Sequence, residues 1–192
     1  MSYLKIGLIG CAGGGRSSVA REISKELSLP FLSSKDITRP FLQRYGYVYG
    51  EDNYVEKFLG QKTIEFQIVE KRLEEELLLS GGFVSDRTSV ECFCYSFLSL
   101  CTYKPDDFSL LESMCRESIS SYTHLFYFPF KGVWFEDNGL RTINASLQWE
   151  IDILIRGIIS DWNLDVISIP LEFMHNKSVD RFIIQEIKKS DK

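Results

Sequence analysis

Residues 4–10 (LKIGLIG) are apolar at nearly every position and show no alternation. That pattern predicts a strand covered on both faces. Residues 17–29 (SSVAREISKELSL) then place Val19, Ile23 and Leu27 four apart, the stripe of an amphipathic helix, and Pro30 ends it. A second short strand is predicted over 30–34 (PFLSS), followed by a loop-and-helix segment rich in tyrosine over 35–53. Residues 54–82 read as one long helix stopped by Gly81-Gly82. A third strand, 83–89 (FVSDRTS), breaks into a loop before a helix over 90–101. The second half continues the alternation: helix 106–122, aromatic strand 124–130 (HLFYFPF), polar loop 131–144, helix 145–163, strand 165–170 and helix 178–190.

Strands alternating with helices imply βα units and an α/β fold, with a parallel sheet of about five strands sandwiched between helices. No linker, repeat or low-complexity tract interrupts the pattern, so residues 1–187 are expected to form a single domain and 188–192 a frayed tail. The 192-residue chain is 44% hydrophobic and 26% charged, enough apolar sequence to bury a substantial core. Its net charge of -5 argues against a nucleic-acid coat or a polybasic membrane binder. No apolar run approaches the roughly 20 residues of a membrane span, and the N-terminus lacks a signal-peptide pattern. The five cysteines, Cys11, Cys92, Cys94, Cys101 and Cys115, are odd in number and irregular in spacing. They read as reduced, buried thiols of a cytoplasmic protein and not as a disulfide framework or metal cluster.

Chemistry enters at Gly10-Cys-Ala-Gly-Gly-Gly-Arg-Ser-Ser18. The spacing is that of a phosphate-binding loop, with Gly10, Gly13, Gly14 and Gly15 letting main-chain N–H groups turn toward an anion. A strand precedes the loop and a helix follows, so the helix's positive end faces the same anion. Ser17 stands where a hydroxyl joins a Mg2+ shell, with Ser18 beside it. Arg16 replaces the usual lysine. It keeps the charge but is longer, planar and suited to bidentate contacts. The loop therefore supports two readings, an active kinase or a nucleotide-binding regulator with weak or lost transfer.

Two further groups are expected at the same sheet edge. Asp86-Arg87 follows the third strand, where an aspartate can hold Mg2+ and an arginine can contact phosphate. An N-cap with a surface ion pair is the alternative reading. Asp36 and Arg39 follow the second strand, and Asp36 there can act as general base toward an acceptor hydroxyl or be a solvated loop carboxylate.

The stretches GLIGCAGGGRSS, DITRPFL, VSDRTSVECFCYS and EDNGLRTINASLQWEIDILIRGI together resemble a family. It is that of the P-loop kinases related to the ribosylnicotinamide-kinase domain of the bacterial NAD regulator, with deoxynucleoside and phage-type deoxynucleotide kinases as cousins. The resemblance spans nearly the whole chain. It implies a P-loop NTPase fold with a small lid, ATP and Mg2+ as cofactors, and a nucleoside or nucleoside monophosphate as acceptor. Gly10, Gly13, Gly15, Arg16, Ser17 and Ser18 would hold ATP phosphates and Mg2+, and Asp86 and Arg87 would complete that environment. Asp36 would meet the acceptor and Arg39 its phosphate or sugar. Asn138-Gly139-Leu140-Arg141 matches the lid, with Arg141 reaching the transferring phosphoryl group.

On the acceptor side, Tyr45, Tyr47, Tyr49, Tyr54, Phe58 and Phe66 cluster in sequence, and Gln67 offers an amide that can pair with a base edge. Helical spacing makes core packing the stronger reading for Phe58 and Phe66. The tyrosines suit a pocket wall or a homodimer contact. The expected partner is a small nucleoside or nucleotide. A kinase acting on a base or end within DNA is a further alternative, disfavoured by the acidic balance.

Overall fold

The computed structural model describes residues 3–44, 46, 62–97, 104–130, 145–175 and 178–190. Five strands form one sheet: β1 (Lys5–Gly10), β2 (Phe31–Leu32), β3 (Phe83–Ser85), β4 (His124–Phe128) and β5 (Ile167–Ser168). Their order is β2-β3-β1-β4-β5, and every pairing is parallel. Between and after them lie α1 (Arg16–Leu27), α2 (Ser34–Arg44), α3 (Lys62–Leu78), α4 (Ser89–Phe97), α5 (Pro105–Ser120), α6 (Ala145–Asp161), α7 (Leu171–His175) and α8 (Val179–Ser190).

The unbroken apolar character of the strands has a direct cause: both faces of the sheet are covered. Ile6 and Leu8 of β1, Val84 of β3, and Phe126 and Phe128 of β4 pack with Ala20, Ile23, Ile183 and Ile187 of α1 and α8. The alternate positions Ile9, Leu125 and Tyr127 pack on the other face with residues of α3, α4, α5 and α6, among them Ile68, Phe93, Leu111 and Ile155. Neither face is left to water, so selection for alternating polar residues disappears. The thiols follow the same logic. Cys11, Cys92, Cys94 and Cys115 are buried, and Cys101 lies outside the described residues.

The predicted elements correspond closely, with differences that have local explanations. α2 runs through Pro40, which carries no N–H, so the turn closes without the bond that would reach Asp36. The long predicted helix is described over Lys62–Leu78, and its predicted start, 54–61, lies outside the described residues. β5 is only two residues long, as suits an edge strand, and the five-residue α7 has no signal in the apolar pattern.

Strand order places β1 in the centre, with β3 on one side and β4 on the other. The chain therefore reverses its direction of winding at the carboxyl end of β1, where open α/β sheets form their ligand crevice. The packing around β1 is tight. A Cβ on Gly7 would lie 2.8 Å from Thr88 Cγ2 and from the Tyr122 ring. Tyr122 in turn stands edge-on to Phe83, centroids 5.4 Å apart. Gly7 thus permits the turn after β3 to press against the central strand. Gly7→Ala is expected to destabilise the fold by about 1–3 kcal/mol through overpacking, read as a lower denaturant midpoint at unchanged m-value.

Candidate active site

The glycine loop leaves β1 at Gly10 and enters α1 at Arg16. Gly15 is the N-cap, with φ 76°, a left-handed conformation that L side chains rarely adopt, and an added Cβ there would meet nothing within 4 Å. The cap supplies no side-chain hydrogen bond, and the first turn of α1 carries no acidic residue. The Ser18 N–H turns back to the Gly15 carbonyl at 3.1 Å, and the Arg16 and Ser17 N–H groups ahead of it face the mouth of the loop, where an anion can be received. Two loop amides are already used: Ala12 N–H donates to Gln148 Oε1 of α6 at 2.8 Å, and Gly10 N–H to Glu91 of α4.

Ser17 and Asp86, far apart in sequence, meet at this edge. The Ser17 hydroxyl donates to Asp86 Oδ2 at 2.5 Å, and the Ser34 N–H at the start of α2 donates to Oδ1 at 2.8 Å. Asp86 is buried. Burial works to raise its pKa, but the Ser17 and Ser34 hydrogen bonds and the Arg16 charge hold the carboxyl below its ordinary 3.8. Asp86 does not cap α4, the helix that follows it, where Thr88 takes the Val90 N–H, and its burial is at odds with a surface ion pair. It satisfies the first N–H of α2 and sets a carboxylate beside the loop hydroxyl. A hydroxyl and a carboxylate are hard oxygen donors that suit Mg2+ completed by phosphate oxygens and water. Among the described residues, no group of three or more His, Cys, Asp or Glu is gathered as a protein-only metal cage.

Arg16 departs from expectation. It is 7% exposed, and its side chain runs beneath the loop instead of over it. Nη1 donates to Glu91 Oε1 and to the Leu8 carbonyl at 3.1 Å, and Nη2 donates to the Cys11 carbonyl at 3.2 Å. In this arrangement the guanidinium contacts the floor of the loop. Glu91 is fully buried and also accepts the Gly10 N–H at 3.2 Å. Its other oxygen accepts the Thr88 N–H at 2.9 Å and the Thr88 hydroxyl at 2.7 Å. The Thr88 oxygen accepts the Val90 N–H at 3.2 Å, so Thr88 and Glu91 form a capping box on α4. That T-x-x-E spacing was visible in the sequence, but its contact with Arg16 was not. Losing one partner of such a buried pair strands the other charge, at a cost of about 3–5 kcal/mol.

The remaining predicted residues are placed as follows. Asp36 is exposed in the first turn of α2, where a negative charge complements the helix terminus, and Arg39 is half-buried one turn on. The Arg87 guanidinium lies 5.0 Å from the Tyr95 ring centroid, and its carbonyl accepts the buried Arg72 Nη1 at 2.7 Å. Arg72 also reaches Ser85 Oγ at 3.2 Å, bracing the turn that carries Asp86 from below. Phe66 packs against the core, matching the packing alternative, and Gln67 is half-buried beside it. Gly13 is exposed and Gly14 half-buried in the loop, and Ser18 is exposed in the first turn of α1. Tyr45, Tyr47, Tyr49, Tyr54, Phe58 and Arg141 lie outside the described residues.

Sequence reasoning missed Glu91, Gln148 and Asp152. Gln148 and Asp152 stand one turn apart on α6 and are both buried. Asp152 accepts the Tyr127 hydroxyl at 2.6 Å and the Phe130 N–H at 3.0 Å, fixing the end of β4 as Gln148 fixes Ala12. Burial pushes the Cys11 thiol up to about 11, so this loop cysteine is a neutral packing group at physiological pH.

No family model matches the chain. Cytidylate kinases of Saccharolobus islandicus strains are 29% identical over 98 residues, which cover 47% of this chain and 52% of the relative. The matched stretch thus spans about half the length of these curated relatives. In structure, deoxyadenosine kinase from M. mycoides with dCMP and dCDP bound aligns with TM-score 0.70 and 16% identity, over 97% of this chain and 100% of that one. A NadR protein in complex with NR aligns with TM-score 0.60 and 13% identity, over 86% of this chain and 43% of that one. Shikimate kinase from Acinetobacter baumannii aligns with TM-score 0.58 and 14% identity, over 98% of this chain and 95% of that one. In the described residues, no helix is long and apolar enough to cross a membrane.

The lowered Asp86 pKa makes a stability prediction. A carboxyl depressed on folding stabilises the protein above its unfolded-state pKa, and the contribution fades as pH falls through the folded value. Asp86→Asn is expected to cost about 1–3 kcal/mol at neutral pH. That difference should shrink in denaturant titrations as pH is taken from about 5 to below 3.8.

Proposed function

We propose, from a fold shared with P-loop nucleoside and nucleotide kinases, that this chain transfers the terminal phosphoryl group of ATP to a nucleoside or nucleoside monophosphate. The observation that carries the reading is the Ser17–Asp86 contact beside an uncapped helix terminus and an open glycine loop. Main-chain N–H groups of the loop would receive the phosphates. Ser17 and Asp86 would hold Mg2+, which when bound neutralises charge on the phosphate oxygens.

Asp36 is assigned the acceptor hydroxyl's proton, and its exposure in the first turn of α2 leaves it open to a ligand. Arg39 and Arg87 are assigned the acceptor's phosphate or sugar, and Phe66 and Gln67 the wall of a base pocket. Arg141 is assigned the transferring group by resemblance. The acceptor oxygen bonds to the γ-phosphorus as the bond to the bridging oxygen breaks and ADP leaves. Cytidine monophosphates and deoxyadenosine are the first acceptors to try, given what the similar proteins are named for.

A second reading draws on a specific observation. Arg16 stands in place of the loop lysine and pairs inward with Glu91, so no loop side-chain cation follows the γ-phosphate, which suits a regulator that binds ATP without turning it over. A coupled ADP-release assay with Mg-ATP and a panel of nucleosides and monophosphates separates the two. Acceptor-dependent turnover, reduced by about a hundredfold or more in Ser17→Ala and Asp86→Asn, is the expected result for the kinase. Calorimetric binding of Mg-ATP with no acceptor-dependent turnover would establish the regulator instead.

A further inference from the structure

Glu91 lies outside the glycine loop and outside the Asp86-Arg87 step, yet it touches the loop and also Thr88, the residue that follows that step. One carboxylate oxygen takes the Gly10 N–H and the Arg16 guanidinium, and the other takes the N–H and hydroxyl of Thr88. Both oxygens are therefore fully engaged, in a site with no solvent exposure. Arg16 is held as well, since the carbonyls of Leu8 and Cys11 accept one further donor each from Nη1 and Nη2. For this guanidinium to reach a phosphate above the loop, it would abandon a buried carboxylate and two carbonyls. Interiors strongly resist such uncompensated charge.

We infer that Glu91 is a positioning residue of the phosphate loop: it holds the Arg16 guanidinium beneath the loop, so that main-chain N–H groups, and not this side chain, meet the nucleotide phosphates. The inference rests on the nucleotide site proposed above. It has a consequence that a purely structural role lacks. A side-chain cation facing the phosphates gains with each added phosphate charge, whereas a cation neutralised below the loop does not. Discrimination between ATP and ADP is then set by the loop amides and the Ser17–Asp86 pair.

Calorimetric titration of the full chain with ATP, ADP and AMP, each with magnesium, reads this directly. Arg16→Met is expected to keep the ATP-to-ADP affinity ratio within about twofold of the unmodified chain, even where it lowers the melting temperature. Glu91→Gln removes the charge that holds the guanidinium down. It is expected to raise that ratio by about tenfold, the worth of one charge-assisted contact. Adding Arg16→Met to Glu91→Gln should return the ratio to its starting value. A Glu91→Gln variant that weakens all three nucleotides in step overturns the inference, as does a tenfold collapse of the ratio in Arg16→Met alone.

Should Glu91→Gln fail to fold, nitrogen NMR of the unmodified chain decides. The Arg16 guanidinium signals should be slow to exchange and unmoved by Mg-ATP, and a large shift on titration overturns the proposal. Absence of heat with all three nucleotides in the unmodified chain strikes the nucleotide reading, and this inference falls with it. Binding with the wrong ratios strikes this inference alone.

Discussion

The architecture of the site depends on one buried ion pair, Arg16 with Glu91. It joins the first residue of α1 to the first turn of α4, across the end of the central strand. Two charges in an interior persist only when their other valences are met. Here the carbonyls of Leu8 in β1 and Cys11 in the loop, the Gly10 N–H and the α4 capping box meet them. The loop is consequently moored from below, with its open face turned away from the pair. An arginine suits that mooring better than a lysine, since its planar fork reaches a carboxylate and two carbonyls at once.

Asp86 repeats the arrangement one strand away. Its two oxygens tie the loop serine of α1 and the first N–H of α2 to the end of β3. Beneath it, Arg72 braces the Arg87 carbonyl and Ser85, while Glu76 receives the Ser118 and Tyr122 hydroxyls at 2.8 and 2.6 Å. Buried polar groups of this kind are costly unless satisfied, and satisfied they rigidify. The crevice at the carboxyl edge of the sheet thus rests on polar contacts as well as on the apolar layers that enclose it.

Much of the fold was legible because its signals are local. Apolar runs at residues 4–10 and 124–130 marked strands covered on both faces, and the spacing of four between Val19, Ile23 and Leu27 marked α1. The glycine loop was legible for the same reason, since conformations such as that of Gly15 demand a particular residue type. Where tertiary context intervened, the reading changed. Pro40 sits inside a helix, and the edge strand β5 is shorter than its apolar run. Phe66 packs on the core, as its helical spacing had suggested.

By itself the sequence determined the alternating α/β order, the chemistry available at the loop, and the presence of Ser17, Asp86 and Arg16 as candidates. Only the tertiary structure decided which of them meet. Strand order brought the ends of β1 and β3 side by side and so set Ser17 against Asp86 across 69 positions of chain. It also offered Arg16 a buried carboxylate 75 positions away, along with the glutamine and aspartate of α6 that hold Ala12 and the end of β4. The physical reason is that residue type fixes what a side chain can bind. Which partner it does bind depends on desolvation and geometry, and those arise only once distant segments have packed.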